Sequence, residues 1–173
     1  MRALYHEAAR TPSDIHEHMP LMNGLAQECQ HIVEFGVRWG TSTRAWLNSP
    51  ASVVCYDIEI WPEAAALFEQ ARSVGKDAML IKASSLEIDP ISTDLLFIDS
   101  LHNYAQLRAE LARHADGVRR YIVLHDTVLF ADRGEDGGPG LWPAVKEFLD
   151  AHPEWHVVHH RTNNNGLTVL GRR

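Results

Sequence analysis

Five short apolar runs, "HIVEFG", "SVVCYD", "AMLIKA", "DLLFIDS" and "RYIVLHD", recur between residues 31 and 126. Three helix-like stretches, "TSTRAWLNS", "WPEAAALFEQARSVG" and "NYAQLRAELARHA", lie between them. Parallel neighbours need a crossover to bring the chain back to the same edge, so strands alternating with helices at this spacing predict βαβ units and a parallel sheet. Open α/β sheets bind ligands at the carboxyl edge of their strands, near the switch in strand order. The residues that end each run therefore matter most.

The pattern changes after Asp126. A glycine-rich loop, "ADRGEDGGPG", precedes a predicted helix, "LWPAVKEFLDAH", and the strand-like runs "WHVVHHR" and "GLTVLGR" flank the turn "TNNNG". Asn and Gly tolerate positive φ, so the last two runs should form an antiparallel hairpin. Upstream, Ile15, Met19, Met22, Leu25 and Ala26 fall at roughly helical spacing with Pro20 interrupting them, which predicts two short helical pieces. One domain over residues 1–173 is expected: an N-terminal helical segment (1–30), a cofactor-binding half (31–126), and a loop, helix and hairpin (127–173). The glycine-rich loop is the only stretch expected to be mobile.

At 173 residues and 45% hydrophobic content the chain suits one buried core. Its formal charge of −7, from 23 acids against 16 bases, gives no broad attraction to nucleic acid or to an anionic membrane, so a small-molecule ligand is expected. Cys29 and Cys55 are too few for a disulfide scaffold, and Cys55 reads as a reduced core residue. No signal-peptide core appears, and no run approaches the ~20 apolar residues that span a bilayer. A cytoplasmic location is the expectation.

The stretch "VEFGVRWGTST" narrows the ligand. A dinucleotide site uses G-x-G-x-x-G so that amides and a helix N-terminus can approach a pyrophosphate. Here the third glycine is missing, and Glu34 stands just before the turn, where its charge would repel a diphosphate. S-adenosylmethionine carries a sulfonium and an ammonium and no phosphate, so nearby carboxylates help it. Asp57 lies 21 positions after Gly36, at the end of the second run, where a carboxylate can accept both ribose hydroxyls.

"VEFGVRWGTST", "YDIE", "LLFIDSLHNYAQLRAEL", "YIVLHDT" and "NNNGLTVLGR" together resemble a class I S-adenosylmethionine-dependent methyltransferase. The nearest resemblance is to the small bacterial and phage group related to macrocin-type O-methyltransferases and cephalosporin-hydroxylase-like proteins, from about Ser13 to the C-terminus. It implies an α/β, Rossmann-like, seven-stranded sheet in the order 3-2-1-4-5-7-6, with strand 7 antiparallel and helices on both faces. It further implies cofactor contacts at Glu34, Gly36, Gly40, Ser42, Asp57, Ile58 and Asp99, with Ala83 or Ser84 beside the adenine. Ser100 stands where this family often has glycine.

In that order Asp99 and Asp126 end neighbouring strands ~4.8 Å apart, so both should reach one cleft. His102 follows the first and His125 precedes the second. The sulfonium is already an excellent leaving group; the acceptor hydroxyl is the weak partner, activated either by a base or by a divalent ion. The resemblance implies Mg2+ or another divalent metal on Asp99 and Asp126, with His125 where relatives can have another acid. The alternative is a metal-free site in which His102 or His125 takes the proton and an aspartate fixes the ring.

His16 and His18 read as surface helix residues, with a cover over the cofactor mouth as the alternative. His152, His156, His159 and His160 read as solvated, since alternation along the strand separates His156 and His160 from His159. Trp39 is expected beneath the glycine turn or against a neighbouring subunit, and Trp142 and Trp155 in the core or an interface. Residues 132–140 are a candidate lid over the acceptor. The expected activity is methyl transfer to a small-molecule hydroxyl, in a monomer or homodimer. A nicotinamide-dependent oxidoreductase and a non-catalytic nucleoside-binding module are the alternatives.

Overall fold

The computed structural model describes residues 1–173. The strands are β1 (His31–Phe35), β2 (Ser52–Asp57), β3 (Ala78–Lys82), β4 (Thr93–Ile98), β5 (Val118–His125), β6 (Trp155–Arg161) and β7 (Leu167–Arg172). They form one seven-stranded sheet in the order β3-β2-β1-β4-β5-β7-β6. The pairings among β1 to β5 are parallel, and β7 runs antiparallel to both β5 and β6. The order and direction expected from the sequence are those observed.

β4 shows why the sheet needs cover on both sides. All six of its residues are buried, Leu95 and Phe97 in one apolar cluster and Leu96 and Ile98 in the other. Each such side chain contributes about 1.5–3 kcal/mol relative to exposure, which a one-sided sheet would forgo. The first face packs against α1 (Arg2–Ala8), α2 (Met19–Ala26), α3 (Thr43–Leu47) and α4 (Pro62–Ser73); the second packs against α5 (Tyr104–His114) and α6 (Leu141–Ala151). Residues 83–92, which join β3 to β4, contain no helix, unlike the other connections between parallel strands.

α1 lies within the N-terminal segment expected to be helical (1–30) but ahead of the residues whose spacing carried that reading; it buries only Ala8, too little to leave a periodic apolar signal. Two local expectations change. Pro20 sits in the first turn of α2, where its missing N–H is no loss, so it starts that helix instead of interrupting one. A bulge between Val157 and His159 breaks the alternation assumed for β6. His156 and His159 oppose Gly171 and Val169, on one face of β7, while His160 opposes Thr168. His159 and His160 remain exposed, as expected for solvated residues. No helix is long and apolar enough to cross a membrane.

Candidate active site

The two glycines of the turn after β1 answer to close packing. Gly36 has φ +82°, and a Cβ there would stand 2.0 Å from the Asp99 carbonyl oxygen, because the ends of β1 and β4 meet at that point. Gly40 has φ +77°, and a Cβ there would stand 2.7 Å from Leu67 Cδ2 on α4. Asp57, at the end of β2, pins the loop: its Oδ2 accepts from the Val37 and Arg38 amides at 2.7 and 2.9 Å, and its Oδ1 accepts from Glu59 N at 3.0 Å.

Glu34 lies elsewhere than expected. Strand alternation puts it on the same face as Ile32, beneath the loop. There Oε1 accepts from Ser42 Oγ at 2.5 Å, and Oε2 accepts from Thr43 Oγ1 at 2.7 Å and Cys55 Sγ at 3.0 Å. Burial pushes its carboxyl up to about 7 against the opposing pull of these hydrogen bonds. Glu34 therefore anchors the start of α3, and neither it nor Gly40 nor Ser42 lines the cavity above. The carboxylates of Asp57, Glu59 and Asp99 do line it.

That cavity, about 540 Å³, opens at the carboxyl ends of β1, β2 and β4. Gly36, Asp57, Ile58, Ala83, Ser84 and Asp99 line it, as do His102 and Asp126. Sequence reading missed Tyr56, Glu59, Trp61, Ser85, Gln106 and Glu135 on the same walls. Tyr56 could have been found, since it immediately precedes Asp57 on a strand that ends at the site. Trp39 is not beneath the turn: it is 45% exposed, edge-on to Trp61 at 6.3 Å, with the Arg38 guanidinium 3.9 Å over its ring.

Asp99, His102, His125 and Asp126 do come together. His102 Nε2 is 3.1 Å from Asp99 Oδ1 and 3.0 Å from Asp126 Oδ2, and its Nδ1 is 3.3 Å from Glu135 Oε1. His125 Nε2 donates to the Asp14 carbonyl at 3.1 Å, which leaves Nδ1 facing Asp99 Oδ1 at 3.3 Å and Asp126 Oδ2 at 3.6 Å. Burial disfavours charge on both rings, yet the carboxylates prevail. Hydrogen bonds to Asp126 and Asp99 hold His102 up to about 10, and Asp99 holds His125 up to about 9. Burial likewise pushes Asp99 up, but its bonds to the two histidines outweigh this and keep its carboxyl well below the usual range. Both histidines are thus protonated at neutral pH in this arrangement and are poor bases.

The same atoms suit a cation. One ligand atom each from Asp99, His125 and Asp126 lie within 4.8 Å of one another. Asp126 Oδ1 is buried without a hydrogen-bond partner, and Asp126 itself has φ 57°. An unsatisfied carboxylate oxygen and an imidazole nitrogen aimed at two acids are what a divalent ion would satisfy. Two oxygens and one nitrogen fit an intermediate ion such as Mn2+ at least as well as Mg2+.

Distant segments buttress the cluster. His18 is fully buried, not on the surface; its ring stands 6.0 Å from that of His125, and Nε2 donates to the Asn164 carbonyl at 3.2 Å. His16 turns back to Ser13. Asn164, in the β6–β7 turn at φ 49°, also accepts from Glu17 N at 3.0 Å and donates to the Ser13 carbonyl at 2.7 Å. Residues 132–140 are tied down: Glu135 Oε1 accepts from His102 N at 2.7 Å, Asp136 Oδ2 accepts from Asn103 Nδ2 at 2.9 Å, and Arg133 bridges Pro139. This is more order than the glycine content suggested. The His102 ring stacks on Phe130 at 4.9 Å.

No protein-family model matches the chain, and neither does any curated protein sequence. Solved structures do. The SAH-bound methyltransferase PaMTH1 of Podospora anserina is 20% identical with a TM-score of 0.65, over 99% of this chain and 86% of that one. A Burkholderia thailandensis 1,6-didemethyltoxoflavin-N1-methyltransferase with bound 1,6-didemethyltoxoflavin and S-adenosylhomocysteine is 14% identical with a TM-score of 0.70, over 98% and 84%. An O-methyltransferase family protein from the same organism is 13% identical with a TM-score of 0.67, over 92% and 56%. At these identities the likeness is one of fold, and it does not select the macrocin-type group. The chain has the Rossmann-like fold of S-adenosylmethionine-dependent methyltransferases.

Proposed function

We propose that this chain is an S-adenosylmethionine-dependent methyltransferase acting on a hydroxyl of a small molecule, assisted by a divalent ion. The observation that carries the reading is one continuous cavity with two kinds of wall. Gly36 and Asp57 form a nucleoside-sized end, and Asp99, His102 and Asp126 lie in the same space. Bound there, S-adenosylmethionine would supply a methyl group already on a sulfonium leaving group. The chain's own residues do the rest: Asp57 offers its carboxylate at the end of β2, and Asp99 and Asp126 favour positive charge. Exclusion of water and positioning of the acceptor account for most of the rate.

Protonation of the histidines argues against the metal-free alternative. A ring held up to about 9 or 10 by carboxylates is charged before the acceptor arrives and has no lone pair for its proton. Asp99, Asp126 and His125 Nδ1 would hold the ion, which would lower the pKa of the acceptor hydroxyl. His102, braced by Glu135 and Phe130, then stands beside the acceptor as a positioning group. The neighbours include an N1-methyltransferase as well as an O-methyltransferase family protein, so the acceptor atom is the part to test first.

The test uses methyl-labelled S-adenosylmethionine and a panel of small hydroxyl and amine acceptors, with and without chelator. Label transferred to a hydroxyl, lost on metal removal and restored by Mn2+ or Mg2+, is expected. Undiminished turnover after exhaustive chelation would remove the ion from the proposal. Tight cofactor binding with neither transfer nor slow hydrolysis would leave a binding module.

A further inference from the structure

We infer that Asn164, in the turn between β6 and β7, is a positioning residue for the divalent ion. It fixes the Asp14 carbonyl behind His125, so that Nε2 of that ring is committed to the carbonyl and Nδ1 is the nitrogen left for the ion. The inference rests on the ion proposed above.

His125 Nε2 and the Asp14 carbonyl lie 3.1 Å apart, across 111 residues of chain. A carbonyl can only accept, so Nε2 must keep its hydrogen, and a metal-ligating imidazole is oriented by just such a bond from its other nitrogen. The bond is only as firm as the segment that carries the carbonyl, and residues 9–15 belong to no helix or strand. Ile15 buries its side chain in the first apolar cluster, which keeps the segment on the fold without setting where its peptide planes point.

Asn164 supplies that second constraint. Its Nδ2 donates to the Ser13 carbonyl at 2.7 Å, its Oδ1 accepts from Glu17 N at 3.0 Å, and its backbone carbonyl accepts from His18 Nε2 at 3.2 Å. These bonds bracket Asp14 on both sides. His16 Nδ1 is 2.8 Å from the same Ser13 carbonyl, but it belongs to the segment itself and cannot tie it to the sheet. Asparagine suits the position because it enters the left-handed region readily, here at φ 49°, and offers a donor and an acceptor together.

The turn has a hold of its own that does not involve the Asn164 side chain. The Asn165 carbonyl accepts from Val128 N at 2.9 Å and Leu129 N at 3.0 Å, and Gly166 packs so closely on Val128 that a Cβ there would stand 2.5 Å from its amide nitrogen. Val128 is two residues beyond Asp126. One turn thus braces the chain behind both His125 and Asp126, and Asn164 can be changed without releasing it.

Calorimetric titration of the full chain with MnCl2 and, separately, with S-adenosylhomocysteine tests the inference. Asn164→Gly tolerates φ 49° and keeps the backbone bond to His18, losing only the bonds to Ser13 and Glu17. Mn2+ should then bind at least about tenfold more weakly, the scale of removing an outer partner of a metal ligand. The affinity for S-adenosylhomocysteine should stay within about twofold and the thermal melt should be unchanged. Asn163→Ala is the control: its exposed side chain reaches Glu17 Oε2 from the same turn, and its loss should alter neither titration. Equal Mn2+ affinity in the parent and Asn164→Gly overturns the inference, as does an equal loss in Asn163→Ala. A parallel fall in both ligands would make Asn164 a structural residue only, which also overturns it. No Mn2+ binding by the parent removes the ion, and the inference with it, while leaving the nucleoside site standing.

Discussion

Alanine at Gly36 is the substitution whose effect the structure specifies most closely. The added Cβ would lie 2.0 Å from the Asp99 carbonyl oxygen and 2.6 Å from its carbon, both backbone atoms that cannot rotate away. An ordinary carbon–oxygen contact is about 3.3–3.6 Å, so β1 and β4 would have to part by more than about 1 Å at the centre of the sheet. Overpacking of that kind costs about 1–3 kcal/mol. The left-handed conformation adds about 1–2 kcal/mol for any residue with a Cβ. The sum, about 2–5 kcal/mol, is a large share of the roughly 5–15 kcal/mol that stabilises a domain. Gly75 separates the two effects: it has φ +82° with nothing within 4 Å of its would-be Cβ, so Gly75→Ala should lose only the conformational part, about 1–2 kcal/mol. Gly24, inside α2 with open space around it, should gain about 0.5–1 kcal/mol as alanine. Urea unfolding of the three variants provides the comparison. If Gly36→Ala were no more destabilising than Gly75→Ala, the close approach of β1 and β4 would be wrong.

Other outcomes follow from the site. Glu34 ionises from its ordinary value of 4.5 when unfolded and only near about 7 when folded. The stability it contributes is therefore complete below about pH 4.5 and declines as pH rises through about 7, by about 3 kcal/mol in all. Glu34→Gln should flatten that part of the urea-midpoint profile, and an unchanged slope would contradict a buried neutral carboxyl. Asp126→Asn should lower the rate of methyl transfer at least about 100-fold, with the affinity for S-adenosylhomocysteine much less affected; a parallel loss of both would place Asp126 in the nucleoside site. With His125 protonated at neutral pH, a divalent ion that takes its Nδ1 must displace a proton. The calorimetric enthalpy of Mn2+ binding should therefore vary with the ionisation enthalpy of the buffer, and a buffer-independent enthalpy would mean that His125 is not a ligand.

The fold was legible because each parallel strand carries an apolar run, and all but β3 are followed by a turn and a helix of the right length. Asp57, Asp99 and Asp126 were legible for the same reason, as the residues at which those runs stop. Glu34 was misplaced although the information was present, since period-two alternation from Ile32 already turns it beneath the loop. Other partners were hidden by distance along the chain. His18 meets Asn164 across 146 residues, and His102 meets Glu135 across 33. Neither pairing follows from local periodicity, because each depends on where the hairpin turn and the glycine-rich loop close over the sheet edge. The bulge in β6 had no residue signature, as neither Gly nor Pro marks it.

The most direct measurement is a calorimetric titration of the purified chain with S-adenosylmethionine and, separately, with NAD. Saturable binding of the first near one equivalent per chain, weakened at least about tenfold in Asp57→Ala, is the predicted result, with no measurable heat from the second. Firm uptake of NAD by a chain indifferent to S-adenosylmethionine would contradict the account at its foundation.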